Sequence, residues 1–166
     1  QSQTGTGKTA AYGLPIINSI DKNNNKIQAL ILCPTRELAL QVVGELRKFA
    51  KYEEGVKSLA VYGGEGIEKQ IMALKKGVKI IVGTPGRIMD HMRRKTIKLA
   101  NIKTVVLDEA DEMLSMGFEE KKETILKETP EERQTVLFSA TLDARIRAIA
   151  KKYLNEPVEV KIKAKE

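Results

Sequence analysis

The chain has no tryptophan, a single cysteine and a single histidine among 166 residues, and only 4% of it is aromatic. Each scarcity removes a class of protein. One cysteine, Cys33, cannot close an intrachain disulfide, so a disulfide-stapled secreted module is excluded and a reducing compartment fits. Cys33 lies inside an apolar run and reads as a buried core thiol. His91 has no second His or Cys near it in sequence, so it is expected as an exposed helical residue and not as a metal ligand or base. No apolar run approaches the ~20 residues of a membrane span, and no signal peptide is visible. A cytoplasmic protein without a membrane partner is expected. Internal repeats and low-complexity linkers are also missing, which leaves one ordinary domain, long enough to bury roughly 70% of its unfolded surface.

What is present is 42% hydrophobic residues, 31% charged residues and a formal charge of +7. The charge is concentrated. Between positions 75 and 103 there are nine Lys/Arg against one acid, Asp90. A charge run alone is a solvated face as readily as a nucleic-acid surface. The loop 84–87 in the middle of this tract raises the expectation of nucleic acid.

The most informative stretch is 104–111, Thr-Val-Val-Leu-Asp-Glu-Ala-Asp. It opens with apolar, β-branched residues, as a buried parallel strand does, and ends in three carboxylates within four residues. Acids at the carboxyl end of such a strand sit where open α/β sheets bind ligands. Unpaired, they are too costly for a core, and a hydrated Mg²⁺ is the natural partner. The other half of such a site is a phosphate cradle, and residues 2–9, Ser-Gln-Thr-Gly-Thr-Gly-Lys-Thr, read as one. Glycines let backbone N–H groups converge on phosphate oxygens, Lys8 reaches the β/γ-phosphates and the Thr9 hydroxyl ligates Mg²⁺. Ser2 stands where the common pattern has Gly. A helix is predicted over 8–20, then an Asn-rich turn at 21–26.

Further strands are predicted over 28–33, 58–62, 78–82, 134–138 and 158–162, alternating with helical stripes such as Leu38, Val42, Leu46 and Phe49. Lys122 interrupts the stripe of Phe118, Ile125 and Leu126, where an apolar residue is expected. Alternation without repeats means an α/β fold, a three-layer sandwich around a mainly parallel sheet with right-handed crossovers. The candidate loops all follow strands and so share one edge. They are Pro34-Thr35-Arg36, Gly63-Gly64, Thr84-Pro85-Gly86-Arg87 and Ser139-Ala-Thr141. A hydroxyl, an amide-rich helix start and a guanidinium together at 84–87 suit a phosphate oxygen.

These strings, in this order and spread over nearly the whole chain, resemble the DEAD-box RNA helicases. The resemblance implies the first of two RecA-like P-loop NTPase domains of an ATP-dependent enzyme that unwinds RNA duplexes locally. Carried over by position, Thr4, Gly5, Thr6, Gly7, Lys8 and Thr9 would hold the ATP phosphates and Mg²⁺. Asp108 would bind Mg²⁺ through water, and Glu109 would orient or deprotonate the attacking water. Lys8, Asp108 and Glu109 would thus be catalytic. Asp111 would link to Ser139 and Thr141 and couple nucleotide state to domain closure. Pro34, Thr35, Arg36, Gly63, Gly64, Thr84, Pro85, Gly86 and Arg87 would line the RNA backbone path. Contacts of that kind position a strand without reading its sequence. RNA over DNA comes from the resemblance alone.

Three departures qualify the match. The strand and adenine-reading segment that precede the phosphate loop in the family are not in the sequence, nor is the second RecA-like domain with its completing arginines. The family often has Met-Pro where Leu142-Asp143 stand, and an acidic–apolar pair near Lys121-Lys122. A fragment or engineered derivative is therefore expected, deficient in ATP turnover alone, with weak nucleotide and RNA binding. The alternatives are a non-enzymatic scaffold assembling through exposed sheet edges, a DNA-directed relative, and a small-molecule kinase. The last explains neither the basic tract nor the loops after the third and fourth strands.

Overall fold

The computed structural model describes residues 4–153 and 159–162, with side chains from residue 7 to 153. Six strands form one sheet in the order β2-β3-β1-β4-β5-β6. They are β1 (Ala29–Leu32), β2 (Ser58–Val61), β3 (Ile80–Gly83), β4 (Thr104–Leu107), β5 (Gln134–Ser139) and β6 (Glu159–Ile162). All five pairings are parallel, which settles the expectation of a mainly parallel sheet. The central strands are buried on both faces, so they read as unbroken apolar runs such as Ala-Leu-Ile-Leu and Thr-Val-Val-Leu.

Helices cover both faces. α1 (Thr4–Ser19) and α2 (Arg36–Phe49) pack with alternate strand residues Ile31, Val82 and Val106 on one side. On the other side, α4 (Pro85–Arg94), α5 (Ala110–Ser115), α6 (Phe118–Leu126) and α7 (Ala144–Tyr153) cover Leu30, Ile81, Val105 and Leu137. α3 (Ile67–Lys75) joins that second layer through Leu74. The period-2 alternation of each strand thus feeds two cores. Cys33 is fully buried in the first of them, and burial pushes its thiol up.

Two sequence oddities find partners. Lys122 stays in the apolar stripe at 5% exposure, its stem buried while Nζ reaches Glu119 Oε2 at 3.0 Å and lies 5.7 Å over the Tyr153 ring. Asp143 opens α7, accepting the Ile146 N–H on Oδ1 at 3.1 Å.

One expectation is corrected. The segment read as a phosphate loop before a helix at residue 8 is wound into α1 from Thr4, so Gly5 and Gly7 ride in its first turns. Gln1–Gln3, and with them the Ser2 position of the expected cradle, lie outside the described residues. Lys8, in the second turn of α1, still reaches Asp108 at the carboxyl edge of the sheet.

Candidate functional site

The strand order reverses between β1 and β4, whose carboxyl ends lie side by side through Asp108 N–H to Leu32 O at 2.9 Å. Such a switch point opens a crevice above the sheet. Asp108 sits in it with no solvent exposure. Its Oδ2 accepts the Tyr12 hydroxyl at 2.9 Å, and Lys8 Nζ lies 2.9 Å from Oδ1. That second contact is ionic and off the hydrogen-bonding direction, so Oδ1 is buried without a directed hydrogen bond. Lys8 also reaches to 3.7 Å from Glu109 Oε2. Lys8, Asp108 and Glu109, some hundred positions apart in the chain, therefore form one charged cluster.

Glu109 is unusual in its backbone. Its φ of 54° and ψ of 52° place a non-glycine residue in the left-handed region, at the turn from β4 into α5. That conformation costs about 1–2 kcal/mol for an L-residue and is a known mark of functional turns. Burial pushes the Glu109 carboxyl up; Lys8 pulls it down, and Asp108 adds to the rise.

Tyr12 was not legible as a site residue. It stands four positions after Lys8, so one helix face delivers both side chains to Asp108. Its ring packs edge-on against Phe138 at 5.5 Å, and burial with the Asp108 carboxylate raises its hydroxyl strongly. Thr9, expected as a Mg²⁺ ligand, is buried at 1% exposure beside Tyr12. Replacing Tyr12 by Phe keeps the ring and removes one hydrogen bond to a charged group. It should lower stability by about 2 kcal/mol in thermal unfolding. An unchanged melt would show that the hydroxyl holds nothing.

The donor set fits a hydrated hard cation. A buried carboxylate oxygen without a hydrogen bond is the atom a metal-bound water would use, and Mg²⁺ keeps several waters beside one or two carboxylates. Among the described residues, no group of three or more His, Cys, Asp or Glu could hold a metal by itself. Phosphates and waters would supply the remaining ligands.

Along the same edge lie the other loops. Thr35 caps α2, its hydroxyl accepting the Leu38 N–H at 3.1 Å. Arg36 lies over the Tyr62 ring with its guanidinium carbon 4.9 Å from the centroid. Gly64 takes φ +90°, which a side chain would strain, and no atom lies within 4 Å of where its Cβ would be. Gly83 ends β3 where a Cβ would meet Ile88 Cδ1 at 2.6 Å and Val61 O at 3.0 Å, so only glycine lets α4 start there. Thr84 then precedes Pro85 at the first turn of α4, with its hydroxyl free of any capping bond.

Arg87 departs from its expected role. It is turned inward, its Nη1 donating to Glu65 O at 3.0 Å and to Gln70 Oε1 at 3.1 Å. Gln70 is 2% exposed and uses its whole amide. Nε2 donates to Tyr62 O and to Glu65 Oε1, both at 2.9 Å, while Oε1 takes Arg87 and lies 2.9 Å from His91 Nε2. Two donors and two lone pairs are the full capacity of a glutamine side chain. His91 is therefore a buried histidine and not the exposed one expected. Its Nδ1 lies 2.7 Å from Thr96 Oγ1, and burial, then Arg87, holds its pKa below the ordinary value. This network ties the Gly63-Gly64 turn to the start of α4.

Asp111 is not hydrogen-bonded to Ser139 and Thr141 as expected. Asp111 Oδ1 accepts from Glu112 N–H at 3.0 Å, and Ser139 Oγ accepts from Thr141 N–H at 3.4 Å. No hydrogen bond joins Asp111 to either residue.

The basic tract is also displaced from its expected place. α4 begins at the carboxyl edge and runs ten residues, about 15 Å, to the opposite edge. Lys75, Lys76, Arg93, Arg94, Lys95, Lys98 and Lys103 all fall at helix ends or in connections at the amino edge. The loop 84–87 and the charges around it in sequence thus face opposite ends of the molecule.

Comparison with known proteins agrees with the geometry. The DEAD/DEAH box helicase family model matches residues 1–149. The chain is 59% identical over all 166 residues to an ATP-dependent RNA helicase CshA of Listeria monocytogenes, covering 32% of that protein. It is 55% identical over 166 residues to the DEAD-box ATP-dependent RNA helicase CshA of Bacillus subtilis, covering 33% of it. The chain therefore spans about a third of the length of these curated relatives. Among solved structures, a DEAD box protein from the hyperthermophile Methanococcus jannaschii superposes with a TM-score of 0.87 at 47% identity, over 98% of this chain and 44% of that one. With a buried strand-end aspartate paired to a helix-start lysine, and a family match across nine-tenths of its length, the chain belongs to the DEAD/DEAH box helicases.

Proposed function

We propose that this chain is the ATP- and RNA-binding first RecA-like domain of an ATP-dependent RNA helicase that unwinds RNA duplexes locally. The observation that carries the reading is the Lys8–Asp108–Glu109 cluster at the switch point. The amides at the start of α1 and the Lys8 ammonium attract phosphate oxygens. Asp108, held by Tyr12, keeps a fixed carboxylate where a metal's water would dock. Glu109, its carboxyl raised by burial, is placed to orient a water and take its proton. Bound Mg²⁺ would supply charge neutralisation on the phosphates.

RNA would run along the same edge past Pro34, Thr35, Arg36, Gly63, Gly64, Thr84, Pro85 and Gly86. Arg87 acts there as a positioning residue behind that surface. Contacts to the backbone give little sequence preference. A second RecA-like domain supplies the arginines that complete the site. In related phosphoryl transfers such a finger contributes on the order of 10³–10⁵ in rate. By itself, then, the chain turns ATP over negligibly.

The test is titration with a fluorescent ATP analogue and Mg²⁺. Saturable binding is expected in the parent chain, lost in Lys8→Ala and Asp108→Ala variants shown to remain folded. Binding indifferent to both changes would overturn the nucleotide site. Robust RNA-stimulated ATP hydrolysis by the chain alone would overturn its dependence on a second domain.

A further inference from the structure

The amino edge of the sheet carries a surface that the nucleotide and RNA edge does not use. Residues 93–103 hold five basic residues and no acid, and residues 75–79 hold three and none. Backbone bonds bring these connections together: Lys79 O accepts from Gln28 N–H at 2.8 Å, and Gln28 O accepts from Lys103 N–H at 2.8 Å. Gln70 of α3 also bonds His91 of α4, which links the two helices. Lys75, Lys76, Arg93, Arg94, Lys95 and Lys98 are all exposed. Lys79 differs, its Nζ being spent on Gly55 O at 2.9 Å.

Beside these charges, α4, the 95–100 connection and α6 enclose an open cleft of about 610 Å³. Its floor is Met89, Met92, Ile97 and Leu99, and its near rim is Arg93, Lys95 and Lys98. The far wall is α6, through Thr124, and the turn after it, through Glu128. Glu128 is the one acid on the cleft, and Asp90 nearby is already paired with Arg87 and Arg93. The volume lies within the range of ligand sites, and methionine is the side chain that adapts to varied apolar partners.

We infer that this cleft docks an acidic amphipathic segment of a partner protein. Apolar anchors three or four residues apart would enter between Met89 and Met92, and carboxylates along the flank would meet Lys95 and Lys98. Nucleic acid is the poorer occupant. The cleft is floored by Met89, Met92, Ile97 and Leu99, which suit apolar anchors and offer nothing to a phosphate backbone. A partner docked here leaves the carboxyl edge open, about one helix length away, so RNA and the partner bind the same domain together.

The test begins with selection of a display library of random 16-residue peptides on the purified chain. The enriched peptides are then made with a fluorescent label. They should be rich in Asp/Glu, with apolar residues three or four apart, and their affinity should fall with rising salt. A Lys95→Glu/Lys98→Glu variant, both positions exposed, should keep its melting temperature and weaken the peptides at least tenfold. It should bind labelled single-stranded RNA as the parent does. Arg36→Glu, at the other edge, should weaken RNA and leave the peptides unchanged. No enrichment, enrichment of neutral or basic peptides, or equal binding to the charge-reversed variant would overturn the inference. So would loss of RNA in that variant, which would make the amino edge a nucleic-acid surface.

Discussion

Replacing Lys8 with methionine is expected to lower the unfolding free energy by about 3 kcal/mol, the cost of leaving a buried charge without its partner. Asp108 has no exposure and only the Tyr12 hydroxyl would remain to it. The paired change, Lys8→Met with Asp108→Asn, removes the charge as well and should recover most of the loss. Urea unfolding of the two single variants and the double variant forms a cycle whose coupling term measures the pair. Additive losses would mean that water, not Lys8, compensates Asp108. All three variants should fail to bind nucleotide, which separates what the pair does for the fold from what it does for phosphate.

The second large effect lies at Gln70. A Gln70→Leu change nearly preserves shape but strips partners from Tyr62 O, Arg87 and His91 at once. Unpaired buried groups cost about 1–3 kcal/mol each, and Arg87 keeps Glu65 O, so a total near 3 kcal/mol is expected. For a domain of this size that shifts the melting temperature by about 6–12 °C. RNA affinity should fall while nucleotide affinity holds, because the network braces the 63–64 turn and the start of α4 and does not touch Lys8 or Asp108. Equal losses of both ligands would point to general unfolding and sink the positioning role.

The same network gives a pH dependence. His91 is held below its ordinary value of 6.5. The unfolded chain therefore binds a proton that the folded site resists. Its contribution is complete above about pH 6.5 and is lost as pH falls from there toward the folded value. In Gln70→Leu the Nε2 partner is gone, so the acid limb of the stability curve should change shape, not only height.

Much of the fold was legible because each element carried a local signature. β-branched runs marked strands buried on both faces, and Thr35 and the 84–87 loop marked helix starts. The edge on which Lys8, Asp108 and the four loops meet followed from alternation alone. What escaped were matters of direction. His91 is three residues after Ile88, on the buried face of α4, but its polarity suggested solvent. Gln70 is the buried residue of α3, and its amide gave no sign of that. The basic tract surrounds the 84–87 loop in sequence, yet a ten-residue helix carries charge and loop to opposite ends. The glycines of 5–7 signalled a loop, and the chain winds there as helix. Side-chain type predicts burial poorly where a polar group brings its partners with it.

Glu109 bears on how this protein would respond to selection. Its left-handed backbone makes glycine or asparagine the more comfortable occupant of position 109. A screen for heat tolerance alone would therefore favour discarding the carboxylate, and a screen for turnover in the complete enzyme would favour restoring it. The turn after β4 is where the two pressures oppose each other, and variants recovered there would report which one had been applied.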